Sequence, residues 1–331
     1  MAIALDPSPN TPALERAKFN PTSPGQLVWR RFLRHKAAVF GSVGALLIVS
    51  FIVVGSVLIK PDQAIRPDAL NILSAPTWLS DKAATAGKDA HIFGTDQIGR
   101  DIFARIVYGG QISLAIALLA LTLGTLVGVV VGGVSGYFGG WLDVVLMRFT
   151  EAMLSIPQLF LLIVLGKLLV PRLPTTLPFL GRNISGSVVV VILVIGVTSW
   201  MYGARIVRAS ILSLRERDYV AASQALGANR FRVLFRHLIP NTFAPIIVTA
   251  TLGLVNAIIT EAYVSFLGLG VQDPPTASWG NMISQSVNYM QRTPPVWWMW
   301  FFPGLFITLT VLFINFIGDG LRDALDPRRK V

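Results

Sequence analysis

The chain has 331 residues, of which 53% are hydrophobic and only 14% charged, and its mean hydropathy is +0.63. This balance excludes an ordinary soluble globular protein and indicates a polytopic membrane protein embedded in a lipid bilayer. The net charge of +11 is typical of cytoplasmic loops held at an anionic leaflet, and nothing in the sequence suggests nucleic acid as a partner. The absence of cysteine excludes disulfides, thiolate metal sites and thiol catalysis.

Residues 1–36 are predicted to form a cytoplasmic N-terminal segment. The first 27 or so are polar and rich in proline, without the apolar core and small-residue cleavage site of a secretory leader. A basic and aromatic stretch from Trp29 to Lys36 follows. We expect this stretch either to lie along the membrane surface or simply to fix the topology of the first span.

Six apolar runs predict six transmembrane α-helices, because about 20 apolar residues cross about 30 Å of hydrocarbon and these runs do not alternate as barrel strands do. The runs cover approximately 37–59, 111–134, 144–170, 187–204, 243–266 and 297–318. With six spans, the N-terminal segment, the loop 205–241 and the C-terminal tail lie on one side of the membrane. Lys and Arg are more numerous on that side than on the other, so the positive-inside rule places both termini in the cytoplasm. The prediction is an all-α protein with an extracytoplasmic loop 60–110, a five-helix core 111–318 and a cytoplasmic tail 319–331.

Three of the spans carry features that affect packing. Glycines recur at every fourth position from Gly124 to Gly136, which leaves one helical stripe without side chains and lets a neighbouring backbone come close. We favour helix packing for this stripe over the smooth wall of a conduit. Pro157 and Pro303 fall inside the third and sixth spans, where each is expected to bend its helix.

Three of the charged residues in the predicted spans are candidate functional positions, because charges there are expensive. Glu261 in the fifth span either forms a structural hydrogen bond between helices or lines an aqueous path. Arg148 and Glu151 are three residues apart on one helical face, and we interpret them as a mutually neutralising pair rather than a substrate contact. In the outer loop, Asp96 fits a turn better than a contact with a binding protein.

The predicted cytoplasmic loop 205–241 contains a short helix with both ends marked. Asp218 is a suitable N-cap, residues 219–226 form the body, and Gly227 suits the left-handed turn that ends it. Its alanines keep this helix thin, so a partner's groove can approach it, while flanking Arg residues favour lipid or an acidic protein nearby. A second helical stretch, about 229–239, is expected to end at Pro240.

This loop resembles the EAA loop of ABC importer permeases, which docks the permease onto its ATPase. The triplet that starts at Ala221, the glycine and the proline stand at the spacing of that pattern, but Ala221 replaces its Glu. Glu216 or Asp218 would then supply the carboxylate. The resemblance implies an ATPase-coupling surface formed by Glu216, Asp218, Tyr219, Ala221, Ala222, Ser223, Ala225, Leu226, Gly227 and Pro240.

Two further segments narrow the resemblance to the C-type permease of the peptide and nickel importer branch. They are GTDQIGRDIFARIVYGGQISLAIA at 94–117 and EAYVSFLGLG at 261–270, and the likeness extends over roughly 25–325. It implies a type I importer permease in the inner membrane, with a homologous B-type permease, two cytoplasmic ATPase subunits and an extracytoplasmic substrate-binding protein as partners. Oligopeptides or dipeptides are the implied cargo, with nickel chelates, glutathione and oligosaccharides as alternatives within the branch.

The chain itself is not expected to be catalytic. It contains no G-x-x-x-x-G-K-[ST] loop to hold nucleotide phosphates, so ATP and Mg are assigned to the partner ATPases and no cofactor or metal to this chain. A secondary transporter would need a coupling-ion site and often shows inverted repeats, which the sequence does not display. An intramembrane enzyme or its anchor subunit is disfavoured because the spans lack paired catalytic residues.

Overall fold

The computed structural model describes residues 24–79, 91–179 and 182–326, so part of each predicted terminal segment lies outside the described residues. Within this part of the chain, five helices are long and apolar enough to cross a membrane. They are α2 (Lys36–Leu58), α4 (Ile102–Phe138), α7 (Ser187–Leu214), α11 (Phe243–Phe266) and α13 (Trp298–Leu325). A bent pair, Gly140–Ser155 and Gln158–Arg172, passes the same test only when its two helices are taken together, and it occupies the position of the predicted third span. The all-α membrane architecture predicted from the sequence is confirmed.

Shorter elements connect these spans. The helices among them are α1 (Pro24–Arg34), α3 (Asp62–Ile65), α5 (Gly140–Ser155), α6 (Gln158–Leu169), α8 (Asp218–Ala225), α9 (Arg230–Val233), α10 (Ile239–Asn241) and α12 (Trp279–Ser286). A small antiparallel hairpin pairs β1 (Thr176–Phe179) with β2 (Arg182–Ser185), with Thr176 opposite Ser185. Single 3₁₀ turns cover Thr77–Leu79, Val170–Arg172 and Val287–Tyr289, and a π-helical turn covers Leu234–Leu238.

Three helices extend beyond the apolar runs that predicted them. Helix α4 begins at Ile102 instead of residue 111, because Arg105 interrupts the apolar run although its charge is paired in the fold. The end of the predicted loop 60–110 is therefore helical. Helix α7 continues to Leu214 and α13 to Leu325, so the predicted loop 205–241 and tail 319–331 both start as helix. Arg205 and Arg208 in α7, and Asp319 and Arg322 in α13, had shortened the runs.

The glycine stripe packs α4 directly against the backbone of α7, as predicted. A Cβ atom at Gly128 would lie 2.9 Å from the carbonyl oxygen of Trp200, and one at Gly136 would lie 2.9 Å from the carbonyl oxygen of Arg208. Only hydrogen fits at these positions, because no real Cβ approaches a backbone oxygen so closely. The two long helices therefore form the central pair of the molecule.

The two prolines have different effects. At Pro157 the third span breaks into α5 and α6, whose axes differ by 88°, so the expected bend is confirmed and is a full interruption. Pro303 lies near the start of α13, which stays helical from Trp298 to Leu325. Only one turn precedes Pro303, so its missing N–H removes a single hydrogen bond at the helix end.

The three largest clusters of buried side chains among the described residues lie in different parts of the bundle. A central cluster joins α4, α7 and α11 and includes Ile116, Ile195 and Ile258. A second cluster surrounds Trp279, whose indole N–H donates to the carbonyl of Ile106 at 3.0 Å. The third lies beneath α8 and is described with the site below. In contrast, the valines and leucines along the outer side of α2 are exposed, as lipid-facing side chains are.

Candidate functional site

Helix α8 occupies the predicted place, but its cap differs by one residue. Arg217 is the N-cap and Asp218 is the first helical residue, so the assignment of Asp218 as N-cap was wrong. The Asp218 carboxylate still lies in the first turn, where the helix dipole favours a negative charge. Gly227 adopts φ +81, the left-handed conformation expected after the last turn. The helix is thus a short rod with both ends fixed.

Almost the whole of this rod faces outward. Val220 is the only buried residue of α8, while Leu226 just beyond it is 89% exposed. The remaining predicted coupling residues are exposed or half-buried: Glu216, Asp218, Tyr219, Ala221, Ala222, Ser223, Ala225, Gly227 and Pro240. An apolar tip on a thin, exposed helix is typical of a surface that another protein covers.

The inner side of the rod is attached to two transmembrane helices. Val220 packs with Ile211 of α7 and with Leu234 and Leu238 of the following helical segment. The side-chain amide of Gln224 donates to the hydroxyl of Tyr137, at the end of α4, over 3.2 Å. A displacement of α8 therefore reaches both α4 and α7.

The segment after α8 differs from the prediction at its end. It is helical from Arg230 to Asn241, so Pro240 lies inside its last turn and does not end it. The N–H of Ile239 donates to the carbonyl of Leu234, which makes the turn before the proline π-helical. This wider turn leads directly into α10 and α11 and accommodates a residue that lacks an N–H donor.

Close to α8, an ion pair that the sequence analysis missed joins three helices. The guanidinium of Arg208 on α7 donates to both carboxylate oxygens of Asp143 on α5, each at 2.6 Å. The hydroxyl of Ser135 on α4 donates to the same carboxylate. Arg215 adds a bond of 3.2 Å to the carbonyl of Gly136. The only signal in the sequence was the presence of these charges, since Asp143 and Arg208 are far apart along the chain.

The structure brings the predicted intramembrane pair together. A nitrogen of Arg148 lies 3.0 Å from Oε2 of Glu151, but the two side chains are 80% and 55% exposed. Glu261 is instead fully buried, and its Oε1 accepts a hydrogen bond of 2.8 Å from Ser265 on the same helix. Ser113 on α4 and Ser278, the residue before α12, also interact with this carboxyl, in keeping with a structural role between helices.

On the opposite side of the molecule, a buried charge network fixes the start of α4. Asp96 accepts hydrogen bonds from the backbone N–H groups of residues 98 and 100, which confirms the predicted turn. It also contacts Arg100 and Arg105 at 2.6 Å, and both arginines continue to Asp273 and Gln285. Burial raises the pKa of Asp273, but the two arginines outweigh it and hold that pKa below its usual value. The network ties α4 to the segment between α11 and α12.

A groove of about 960 Å³ runs beside the α5–α6 break, along α4, α7 and α11 and towards the end of α13. Apolar side chains form most of its wall. Uncharged hydrogen-bonding groups also line it, among them Thr125, Gln158, Thr198, Ser199, Asn256 and Thr260. Its charged lining residues are Arg322 and Asp326, at the end of α13, and Glu261 is not in its wall.

A bundle of membrane-spanning helices with an exposed short helix and a long groove is typical of a multi-pass membrane permease. The family profile described as binding-protein-dependent transport system inner membrane component matches residues 124–331. The N-terminal transmembrane domain of oligopeptide transport permease C matches residues 23–76. The chain therefore belongs to the family of binding-protein-dependent transport permeases.

Individual relatives agree with this assignment. A Brucella suis protein that carries a peptide permease name is 41% identical over 91% of this chain and 90% of its own length. The dipeptide transport system permease protein DppC of Alkalihalophilus pseudofirmus is 37% identical over 98% and 97%. A solved inward-facing structure of the MetNI methionine ABC transporter aligns with a TM-score of 0.51 and 20% identity, covering 67% of this chain and 96% of that one. This last likeness concerns the fold alone.

Proposed function

We propose that this chain is the C-type permease of an ATP-driven importer of oligopeptides or dipeptides. In this assembly it pairs with a homologous B-type permease, two cytoplasmic ATPase subunits and an extracytoplasmic substrate-binding protein. Both termini and α8 then lie in the cytoplasm. The chain holds no cofactor of its own, and the ATPase subunits bind ATP and Mg.

The observation that carries this proposal is the α8 surface: an exposed rod with an apolar tip at Leu226, attached through Val220 and Gln224 to the ends of α7 and α4. Closure of the ATPase dimer on ATP would push this rod, and the displacement would pass through the fourth and fifth spans, α7 and α11, to open the conduit outward. The basic flanks, Arg217 and Arg230, favour a partner groove with an acidic rim.

Peptides are proposed as cargo because relatives of this chain carry peptide, dipeptide and oligopeptide permease names. The groove is consistent with this cargo. Its hydroxyl and amide groups can pair with peptide N–H and C=O groups, and its apolar wall accepts side chains without regard to charge. Nickel chelates, glutathione and oligosaccharides remain the alternative cargoes, and a secondary transporter is the lower alternative.

Co-purification tests the docking of the ATPase. The bulky substitution Ala222→Trp on α8 should abolish co-purification of the ATPase subunits and ATP-dependent uptake, because the exposed alanine face must enter a groove. Ala69→Trp, at an exposed position in the loop 60–79, is the matched control and should retain both. Retained assembly and uptake in Ala222→Trp would exclude α8 as the docking element.

Cargo is tested separately on the cognate binding protein. Mass spectrometry of the ligand released from the purified binding protein should identify di- or oligopeptides, and the same peptides should enter proteoliposomes that contain the complete importer. Recovery of a nickel chelate, glutathione or an oligosaccharide instead would replace peptides as the cargo and leave the docking proposal intact.

A further inference from the structure

One half of helix α5 has no partner within the described chain. Thr150 is its only buried residue, and the exposed half of the helix centres on Arg148. Val144, Val145 and Ala152 surround this arginine, and all three are exposed. Exposed apolar side chains alone are compatible with lipid, as they are on α2. The polar groups of the same surface therefore decide whether lipid or protein covers it.

The ion pair on this surface does not suit hydrocarbon. Arg148 and Glu151 are both exposed on a segment that forms half of a membrane span. Charged side chains within spans face the interior of a bundle or a water-filled cavity, because lipid offers them no partner. Glu151 contacts one nitrogen of Arg148, and no described residue accepts from the other guanidinium donors. The arginine is therefore poised for an acceptor on another chain.

The helix break next to this surface leads to the same conclusion independently. Between Ser155 and Gln158 the helical hydrogen bonds are interrupted, Pro157 has no N–H, and these residues are exposed. Irregular backbone at membrane depth is tolerated only where protein or water covers it. Two unrelated features thus exclude lipid from one continuous surface.

We propose that the second permease of the importer packs on this α5 surface, defined as Val144, Val145, Arg148, Glu151, Ala152, Ile156 and Pro157. This inference rests on the function proposed above. Apolar side chains around a central arginine make a protein interface and not a wetted wall, because interface centres combine dry apolar contacts with a buried arginine anchor. The partner's surface is accordingly apolar, with a carboxylate or amide oxygen opposite Arg148.

Site-specific photo-crosslinking in the assembled importer tests the proposal. Benzoylphenylalanine replaces Ala152 on the α5 surface or, as the control, Val53 on the exposed apolar side of α2. Irradiation of native membranes should join position 152 to the second permease, identified by peptide sequencing, whereas position 53 should give lipid adducts. Lipid adducts at position 152, or adducts with a second copy of this chain, would overturn the inference.

An arginine substitution gives a second readout. Arg148→Leu would improve a lipid-facing surface, but at an interface it should reduce recovery of the second permease with this chain by about tenfold. Arg148→Lys should retain more of the partner than Arg148→Leu does. Unchanged recovery in Arg148→Leu would overturn the inference while the ATPase subunits still co-purify, and loss of the ATPase subunits from the unmodified chain would instead overturn the proposed function.

Discussion

Arg105 shows how a single residue can conceal the start of a membrane helix. Its charge ended the apolar run that predicted α4, yet the side chain is buried between two carboxylates. We expect Arg105→Met to lower the free energy of unfolding by about 3–5 kcal/mol, because Asp96 and Asp273 would keep buried charges with less compensation. Thermal unfolding in nanodiscs measures this, with Arg66→Met, at an exposed position nearby, as the control that should change little.

The same network predicts a response to acid. The pKa of Asp273 is lowered in the fold, so its ionisation stabilises the native state above the pKa of an unfolded aspartate, and this contribution is lost as the pH falls through the lower, folded value. Unfolding temperatures should therefore drop more steeply below about pH 4 in the natural chain than in Asp273→Asn. Parallel pH profiles of the two proteins would contradict this assignment.

For individual residues, the sequence predicted contacts between residues that are close along the chain and missed contacts between residues that are far apart along it. The turn at Asp96 and the pairing of Arg148 with Glu151 involve residues at most four apart, and both are present. Asp273 and Gln285 lie far along the chain from Arg100, so only the folded structure brings them to it. Of the two interpretations of Glu261, the structural one fits a buried carboxyl that interacts with Ser265, Ser113 and Ser278 and lies outside the wall of the groove.

At the scale of elements, the ion pair of Asp143 and Arg208 connects α5 to α7 close to α8. Asp143→Asn removes a bidentate contact between α5 and α7, and we expect it to lower uptake per ATP hydrolysed several-fold while the complex still assembles. The exchanged pair, Asp143→Arg with Arg208→Asp, should restore part of this coupling. Coupled uptake and hydrolysis in proteoliposomes give the ratio. Equal ratios in Asp143→Asn and the natural chain would show that the pair does not transmit movement.

The contact between α4 and α7 gives a matched pair of glycine substitutions. Gly128→Ala should destabilise the fold by roughly 1–3 kcal/mol, since its Cβ would meet the backbone of α7 at 2.9 Å. Gly203→Ala on α7, where a Cβ meets nothing within 4 Å, should be neutral or slightly stabilising because alanine favours helix. Denaturation midpoints compare them, and equal effects would contradict close packing along the stripe.

Element positions were predictable where a local signal marks them. The cap and the glycine located α8 to within one residue, and the span 243–266 coincides with α11. The ends of α7 at Leu214 and of α13 at Leu325 were missed because Arg and Asp residues interrupt the apolar runs while the backbone remains helical. The break at Pro157 was expected as a bend, but its 88° angle depends on what the two half-helices pack against.

For the whole molecule, the proposed orientation can be tested with two engineered thiols, because the chain has no cysteine. Leu70→Cys and Leu226→Cys replace residues that are 94% and 89% exposed. In spheroplasts of a strain without the ATPase genes, an impermeant maleimide should label position 70 only, and position 226 should react after permeabilisation. The opposite pattern would invert the topology and remove α8 from the cytoplasm.

The class of protein could be predicted from the sequence, because the composition of a membrane protein reveals its apolar spans. Apolar runs fix the number of spans, and the spacing around Ala221, Gly227 and Pro240 led to the permease family to which the chain belongs. The groove was not predictable, because its wall combines side chains from six helices with no common sequence pattern.

Helix α4 contains 37 residues and is about 55 Å long. It is therefore about 25 Å longer than the hydrocarbon core of a bilayer is thick. One end carries Arg105 of the charge network, and the other carries Tyr137 beneath α8. No hinge interrupts the path between them. In the proposed importer, a loaded binding protein would contact one end of this continuous helix and the ATPase subunits would act at the other, so tilting α4 at either end would displace its far end.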